Sequence, residues 1–240
     1  MNTKQQIIDV HAHVLPGVDD GARTKKESVK LLMMAASQGI TGVFATPHYS
    51  RRRTLHGLEE LTEELQQTIQ RFYPDFRIYP GQETYYHEEL TDRLKASEAH
   101  TMAGSRHVLV EFDTTVSYGT LFQGIRKLSA SGYYPILAHM ERYACLRTVG
   151  TEELHAVGCR MQMNYESLHG PWYSQEVRWC RKQVEDGKIH LLGTDMHRTD
   201  YRPPEIEEAW KWLESHISPE YLERICYQNP LCIINHKKIS

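Results

Sequence analysis

The chain has 240 residues, a formal net charge of −3, fourteen histidines and five cysteines. That length suits one domain of the barrel or large α/β kind with a sizeable core, and the slightly acidic balance gives no global sign of nucleic-acid binding. The cysteines form no CxxC pair, Met1 to Gln6 carries no apolar signal core, and no apolar run approaches a membrane span. The expectation is a cytoplasmic protein with reduced thiols and no membrane insertion.

Ile7 to Val10 reads as a short buried strand entering a turn, with His11 and His13 at its end. Thr24-Lys25-Lys26-Glu27 has the form of a capping box. It opens a helix striped by Val29, Leu32, Met33 and Ala36, and Gly39 closes it. Thr41 to Ala45 is the next strand, followed by Thr46-Pro47-His48 and the basic run Arg51-Arg52-Arg53. A helix striped by Leu58, Leu61, Leu65, Ile69 and Phe72 leads to a strand over Arg77 to Pro80 and then to Gly81-Gln82-Glu83. Beyond a short helix around Glu88 to Lys95, His107 to Glu111 is a strand, and Leu121, Phe122, Ile125 and Leu128 stripe a helix ended by Gly132. Tyr134 to Ala138 is a strand leading into His139-Met140-Glu141-Arg142. A helix over Thr151 to Val157 then precedes a strand over Arg160 to Asn164. A helix carrying Val177, Cys180, Arg181 and Val184 ends at Gly187, and His190 to Gly193 is the last strand, before Thr194-Asp195-Met196-His197. Pro203-Pro204 opens a helix with Ile206, Ala209, Trp210 and Leu213 inward. Ser218-Pro219 caps a final one, which Asn229-Pro230 stops.

Strands alternate with helices about every thirty residues, the spacing of repeated βα units. His11 and His13, His48, Glu83, Glu111, His139 and Asp195 each follow the end of a different strand. In a parallel barrel those ends converge on one face, where active sites are built. Residues i and i+2 of a strand point the same way, so both imidazoles of His11-x-His13 can close on one ion. Asp20 lies in a turn-rich loop that can fold back over the strand end. With His197, the set holds more imidazoles and carboxylates than one tetrahedral zinc uses. Two or three ions sharing carboxylates fit better, and the carboxylate richness favours Mn²⁺, although Fe²⁺ and Zn²⁺ also suit these donors. Such a cluster generates hydroxide near neutral pH and clamps the oxygens of an in-line displacement at phosphorus. Arg142 and Arg202 follow candidate ligands closely and offer forked guanidinium groups for phosphate oxygens.

His11-x-His13, Pro16-Gly17-Val18-Asp19-Asp20-Gly21, Thr46-Pro47-His48, Gly81-x-Glu83, Ala138-His139-x-Glu141-Arg142-Tyr143 and Thr194-Asp195-x-His197, in that order, resemble the polymerase-and-histidinol-phosphatase (PHP) superfamily. Within it they look most like the metal-dependent protein tyrosine phosphatases of bacterial capsule and exopolysaccharide systems. The resemblance implies an α/β chain with a distorted (β/α)₇-type, TIM-like barrel (the PHP fold), residues 1–240 forming a single phosphatase domain. It implies a trinuclear centre, with His11, His13, Glu83 and Asp195 on one ion, Glu83 bridging to a second shared with Glu111 and His139, and Asp20, His48 and His197 on the third. Arg142 and Arg202 are implied as phosphoryl binders, and a bacterial tyrosine kinase with a tyrosine-rich tail as the partner. Thr194 and Met140 stand where the family usually has Ser and Pro, and neither position supplies a ligand.

A thiol-based tyrosine phosphatase needs an Arg six residues after its Cys, and none of the five cysteines has one. Amidohydrolases share the opening His-x-His but commonly use a carboxylated lysine where Glu111 stands. Histidinol-phosphate phosphatase, or another PHP phosphoesterase, is the alternative that shares the metal chemistry. A non-catalytic barrel would not need the intact donor set. Glu141 is an unassigned acid inside a motif but no obvious general acid stands out, and leaving-group departure without a strong general acid favours a phenolate, whose conjugate acid has a pKa of about 10, over an alkoxide. Tyr49, Tyr85 and Tyr86 follow strand ends and are expected to line a slot for the aryl ring.

Overall fold

A computed structural model of the chain describes residues 6–49 and 55–239. Among these residues eight strands run in parallel: β1 (Ile7–Ala12), β2 (Ile40–Ala45), β3 (Arg77–Pro80), β4 (Glu83–Tyr85), β5 (His107–Glu111), β6 (Tyr134–Leu137), β7 (Arg160–Asn164) and β8 (Leu191–Gly193). They form two sheets, β1-β2-β3 and β4-β5-β6-β7-β8. The sheets join at two seams. On one side the backbone N–H groups of Asp195 and His13 donate to the carbonyls of His11 and Met196, both at 2.8 Å, tying β8 to β1. On the other, Tyr49 N–H donates to Glu83 O at 2.8 Å and Glu83 N–H to Pro47 O at 3.1 Å. Because β3 and β4 are one strand broken at Gly81-Gln82, the closed wall has seven staves, as the resemblance implies.

The helices are α1 (Lys25–Ser37), α2 (Leu58–Ile69), α3 (Leu90–Lys95), α4 (Tyr118–Ala130), α5 (Ala144–Val149), α6 (Glu152–Ala156), α7 (Gln175–Glu185), α8 (Glu207–His216), α9 (Pro219–Glu223) and α10 (Asn229–Ile234). The core has two layers. Val43, Val108, Val110, Leu137 and Leu192 pack with helix residues such as Leu31, Leu65, Leu121 and Val184, whereas Ile8, Val10, Phe44, Leu109, Ile136 and Leu191 fill the barrel. Both faces of the wall are thus buried, which is why its strands read as near-continuous apolar runs.

One irregularity in β1 aims the site. Asp9 pairs with Val43 and Ala12 with Ala45, so β1 carries one extra residue between them. Val10 belongs to the barrel interior while Ala12 belongs to the layer under the helices. The bulge shifts the alternation, and His11 and His13 turn inward after Val10 rather than outward. Asp9 accepts from His11 N–H at 3.0 Å and fixes the kink.

Several elements depart from expectation. Thr24 caps α1 by accepting from Glu27 N–H, but Glu27 returns its carboxylate to Arg23 N–H at 3.0 Å, one residue before the cap. The buried stripe of α1 is Ser28, Leu31, Leu32 and Ala35, and Met33 is exposed. Ser28 tolerates burial because its hydroxyl donates to Thr24 O at 3.2 Å. Phe72 lies past the end of α2 and is 56% exposed. The helix expected from Pro203 starts only at Glu207, and it buries Trp212 where Trp210 was expected. α5 was not foreseen. Asn229-Pro230 does not stop the last helix. The chain passes through one π turn, Arg224–Gln228, where the wider turn accommodates a ring without an N–H, and continues into α10.

Candidate metal centre

The C-terminal ends of the strands bring the expected donors together. His11 Nε2 and His13 Nε2 are 3.2 Å apart. Glu83 Oε2 lies 3.2 and 3.3 Å from them, and Asp195 Oδ1 3.6 and 3.3 Å. The other Glu83 oxygen, Oε1, is 2.8 Å from His139 Nε2, which is also 3.4 Å from Glu111 Oε1. Asp20 Oδ1 is 3.6 Å from His48 Nε2 and 3.7 Å from His197 Nε2. His48 serves two neighbourhoods, since its Nδ1 is 3.0 Å from Glu83 Oε2. Among the described residues three groups of donors could each hold an ion: His11, His13 and Asp195; His48, Glu83 and Glu111; and His13, Asp20, His48 and His197.

The electrostatics call for cations. Burial opposes charge on Glu83 and Asp195, yet the charge of His11 and the contacts of the other imidazoles hold both carboxyls well below their usual range. Burial likewise opposes charge on His13, but the hydrogen bond to Asp19 and the close carboxylates of Asp195 and Glu83 raise it well above the ordinary value; burial opposes charge on His139 too, yet Glu111 and Glu83 raise it to about 9. The buried carboxylates thus favour the protonated form of His13 and His139, and a metal would have to displace those protons. Glu83 Oε2 is buried, surrounded by three imidazole nitrogens, and has no hydrogen-bond partner. A cation beside it would satisfy this oxygen, so the donor set fits divalent metals.

Residues that the motifs did not single out orient the donors. Asp19 Oδ2 sits 2.8 Å from His13 Nδ1 and accepts from His48 N–H at 2.9 Å, while Oδ1 accepts from Gly21 N–H at 2.9 Å. From β7, Gln162 Oε1 lies 3.1 Å from His11 Nδ1 and accepts from His139 N–H at 2.7 Å. Asn164 donates to Asp195 Oδ2 at 3.0 Å. Asp9 accepts from Thr194 N–H at 2.9 Å and from its hydroxyl, and burial pushes its carboxyl up to about 6. Such outer partners fix imidazole tautomers and carboxylate angles. Gly193 is required here, because a Cβ would come within 2.7 Å of His11 Cβ. Three site residues adopt left-handed backbone, His139 at φ +31°, Asp195 at φ +53° and Arg202 at φ +55°. That strain is held by the surrounding hydrogen bonds.

Arg142 and Arg202 converge on the oxygen of Asp195 that faces away from the imidazole pair: Arg142 Nη2 contacts Oδ2, and Arg202 Nη1 lies 2.9 Å from it. Both side chains remain partly exposed. The forked cations therefore stand at the edge of the cluster, with donor hydrogens to spare for an anion at the mouth.

A family model described as capsular polysaccharide synthesis, CpsB/CapC, matches residues 7–235. The chain belongs to the CpsB/CapC family. The tyrosine-protein phosphatase CpsB of Streptococcus pneumoniae is 27% identical over 238 residues, 95% of this chain and 98% of that protein. A chain from the crystal structures of YwqE from Bacillus subtilis and CpsB from Streptococcus pneumoniae, described as unique metal-dependent tyrosine phosphatases, matches with a TM-score of 0.85 at 25% identity, covering 98% of this chain and 96% of that one. An amidohydrolase from Mycoplasma synoviae shares the barrel, with a TM-score of 0.63 at 13% identity over 96% of this chain and 88% of that one. The motif-based resemblance to metal-dependent tyrosine phosphatases therefore stands for this CpsB/CapC chain.

Not every expected site residue reaches the mouth. Tyr86 stacks on Phe112, 4.7 Å between centroids, under α4. Tyr49 is buried, its ring stacked 5.7 Å from His87. Their rings fill wall rather than slot, and of the three only Tyr85 is exposed. Glu141 is buried, accepting from Asn164 N–H at 3.2 Å and Ser167 Oγ at 2.8 Å. It braces the end of β7. Arg51-Arg52-Arg53 lies outside the described residues. No helix among the described residues is long and apolar enough to cross a membrane. The five cysteines are free thiols.

Proposed function

We propose that the chain is a metal-dependent protein-tyrosine phosphatase, a phosphoric monoester hydrolase acting on phosphotyrosine of a bacterial tyrosine kinase that regulates capsule or exopolysaccharide synthesis. The observation that carries this reading is Glu83, whose two oxygens face two different sets of imidazoles while one of them lacks any hydrogen bond. In this reading residues 1–240 form one domain in the cytoplasm, and Mn²⁺ is the working metal. His11, His13, Glu83 and Asp195 hold one ion, Glu83, Glu111 and His139 a second, and Asp20, His48 and His197 a third. When bound, the ions supply Lewis acidity and lower the pKa of attacking water. Asp195 links metal and substrate sides, since Oδ1 faces His11 and His13 and Oδ2 holds Arg142 and Arg202. The two guanidinium groups grip the phosphoryl oxygens and fix the ester in line. Glu141, the acid the motifs leave unassigned, is turned into the wall and not toward a leaving group, which favours a phenolate over an alkoxide as the group that departs.

The test is a substrate panel on protein of measured metal content: a phosphotyrosine peptide, a matched phosphoserine peptide and histidinol phosphate. The phosphotyrosine peptide should have the highest kcat/KM. Equal or better turnover of histidinol phosphate would move the chain to that branch of the superfamily. Elemental analysis should find more than one transition-metal equivalent; one tightly held ion at most rejects the multinuclear centre.

A further inference from the structure

A phosphatase that selects aryl esters needs a surface for the ring beside its phosphoryl grip. Two of the three tyrosines suggested by the motifs are packed into the wall, and Tyr85 stands on β4, at the far edge of the five-stranded sheet from β8. The loop after β8 carries another ring. Tyr201 is 48% exposed, edge-on to His197 with centroids 6.2 Å apart at 85°. The Arg202 guanidinium lies 5.3 Å from the centre of the Tyr201 ring. Its Nη1 is 2.9 Å from Asp195 Oδ2 and its Nη2 3.4 Å from the Tyr201 hydroxyl. One guanidinium thus touches both the carboxylate of the candidate centre and the exposed ring. A phosphoryl group held by Arg202 would sit within reach of the Tyr201 ring.

The ring is also held in place. Arg198 N–H donates to Tyr201 O at 2.9 Å and His197 N–H to Arg202 O at 3.0 Å, closing a tight hairpin. Asp200 pairs with Arg23 at 3.1 Å, and Thr199 N–H donates to Glu27 Oε1 at 3.4 Å, pinning the loop to the start of α1. An ordered ring loses little freedom when a ligand packs on it. Trp172 and Tyr173 are more exposed, but their ring contact is with each other.

We infer that Tyr201 is the aryl-specificity residue of this site, packing against the phenyl ring of the substrate while Arg202 holds its phosphoryl group. The inference rests on the phosphotyrosine reading and names the group that enforces it. Aromatic pairs prefer offset or edge-to-face contact and are worth a modest increment beyond burial, about 3- to 10-fold in affinity.

The test is calorimetric binding of phenylphosphonate and methylphosphonate, which share the phosphoryl head, to metal-loaded wild type, Tyr201→Ala and Tyr201→Phe. Tyr201→Ala should weaken phenylphosphonate about 3- to 10-fold and leave methylphosphonate unchanged; Tyr201→Phe should bind both like wild type. Should the alanine variant load less metal than wild type, Tyr201→Leu takes its place with the same expectation. Unchanged phenylphosphonate affinity overturns the inference. So does an equal loss for both probes, which would make Tyr201 only a prop for Arg202. A wild type inactive on phosphotyrosine that still shows the Tyr201-dependent phenyl preference refutes the function and keeps the inference. An active wild type without that preference does the reverse.

Discussion

Replacing Asp19 with asparagine isolates a residue that binds no ion in the proposed centre yet bears on two of its donor groups. Asp19 accepts three contacts: His13 Nδ1 at 2.8 Å and His48 N–H at 2.9 Å on Oδ2, and Gly21 N–H at 2.9 Å on Oδ1. An amide can serve the first two with its oxygen, but its NH₂ then faces the Gly21 N–H, donor against donor. The flipped amide loses both other contacts. Asp19→Asn also removes the charge that fixes the His13 tautomer and sharpens its basicity. Losses of this kind cost about 10- to 100-fold in metal affinity, or about 1.4 to 2.7 kcal/mol. Because His13 belongs to two donor groups, more than one ion should weaken. Asp20→Asn makes the contrast, since Asp20 is 64% exposed and among the described residues pairs with His48 and His197; it should weaken one ion. The assay is Mn²⁺ titration against a competing chelator, with bound metal counted by elemental analysis. Wild-type affinity in Asp19→Asn, or a loss confined to the ion that Asp20→Asn affects, refutes the reasoning. The metal-free protein gives a second readout. Hydrogen bonds and the charge of His13 outweigh burial and hold the Asp19 carboxyl at about 2 against 3.8, which corresponds to about 2 kcal/mol of stability. That increment is fully present above pH 3.8 and is lost as pH falls through 2.

Arg142→Ala and Arg202→Ala should each lower kcat/KM for a phosphotyrosine peptide about 10²- to 10³-fold and retain more metal than Glu83→Ala; an arginine variant as depleted as Glu83→Ala contradicts the division of roles. Burial pushes the Cys159, Cys180 and Cys226 thiols up to about 12, so they are protonated at neutral pH, and iodoacetamide treatment of folded, metal-loaded protein should spare turnover. Complete loss on alkylation of a single cysteine would restore a thiol mechanism. Burial lowers His107 to about 4, so the unfolded chain takes up a proton from pH 6.5 downward while the folded one does not. Metal-free wild type should lose about 3 kcal/mol across pH 6.5 to 4 relative to His107→Gln, read from urea midpoints; parallel pH profiles refute this.

What the sequence revealed of the site, and what it hid, divides along contact range. His11, His13, Glu83, Glu111, His139 and Asp195 announce themselves because each follows a legible apolar strand, and a parallel barrel gathers those ends without further information. Asp9, Gln162 and Asn164 act on partners far along the chain, Asp9 on Thr194 and Gln162 on His11, and a buried amide beside a distant imidazole leaves no local pattern. The phase of α1 was lost for a similar reason, as Ser28 looks polar until its hydroxyl is seen returning to Thr24. Tyr86 looked like its neighbour Tyr85, but its partner Phe112 is supplied by another strand end. The bulge between Asp9 and Ala12 is invisible in the composition of β1, although the inward aim of both histidines depends on it.

The broken stave at Gly81-Gln82 marks the line where the two sheets meet, and Glu83 is the first residue past it. The same residue clasps the two sheets through its backbone, to Tyr49 and Pro47, and gathers imidazoles from both sheets through its side chain. Cation capture by the Glu83 side chain would then reinforce a latch that its backbone already makes. A metal-starved molecule should breathe along this line, exchanging the amide hydrogens of Tyr49 and Glu83 far sooner than those of β5 or β6.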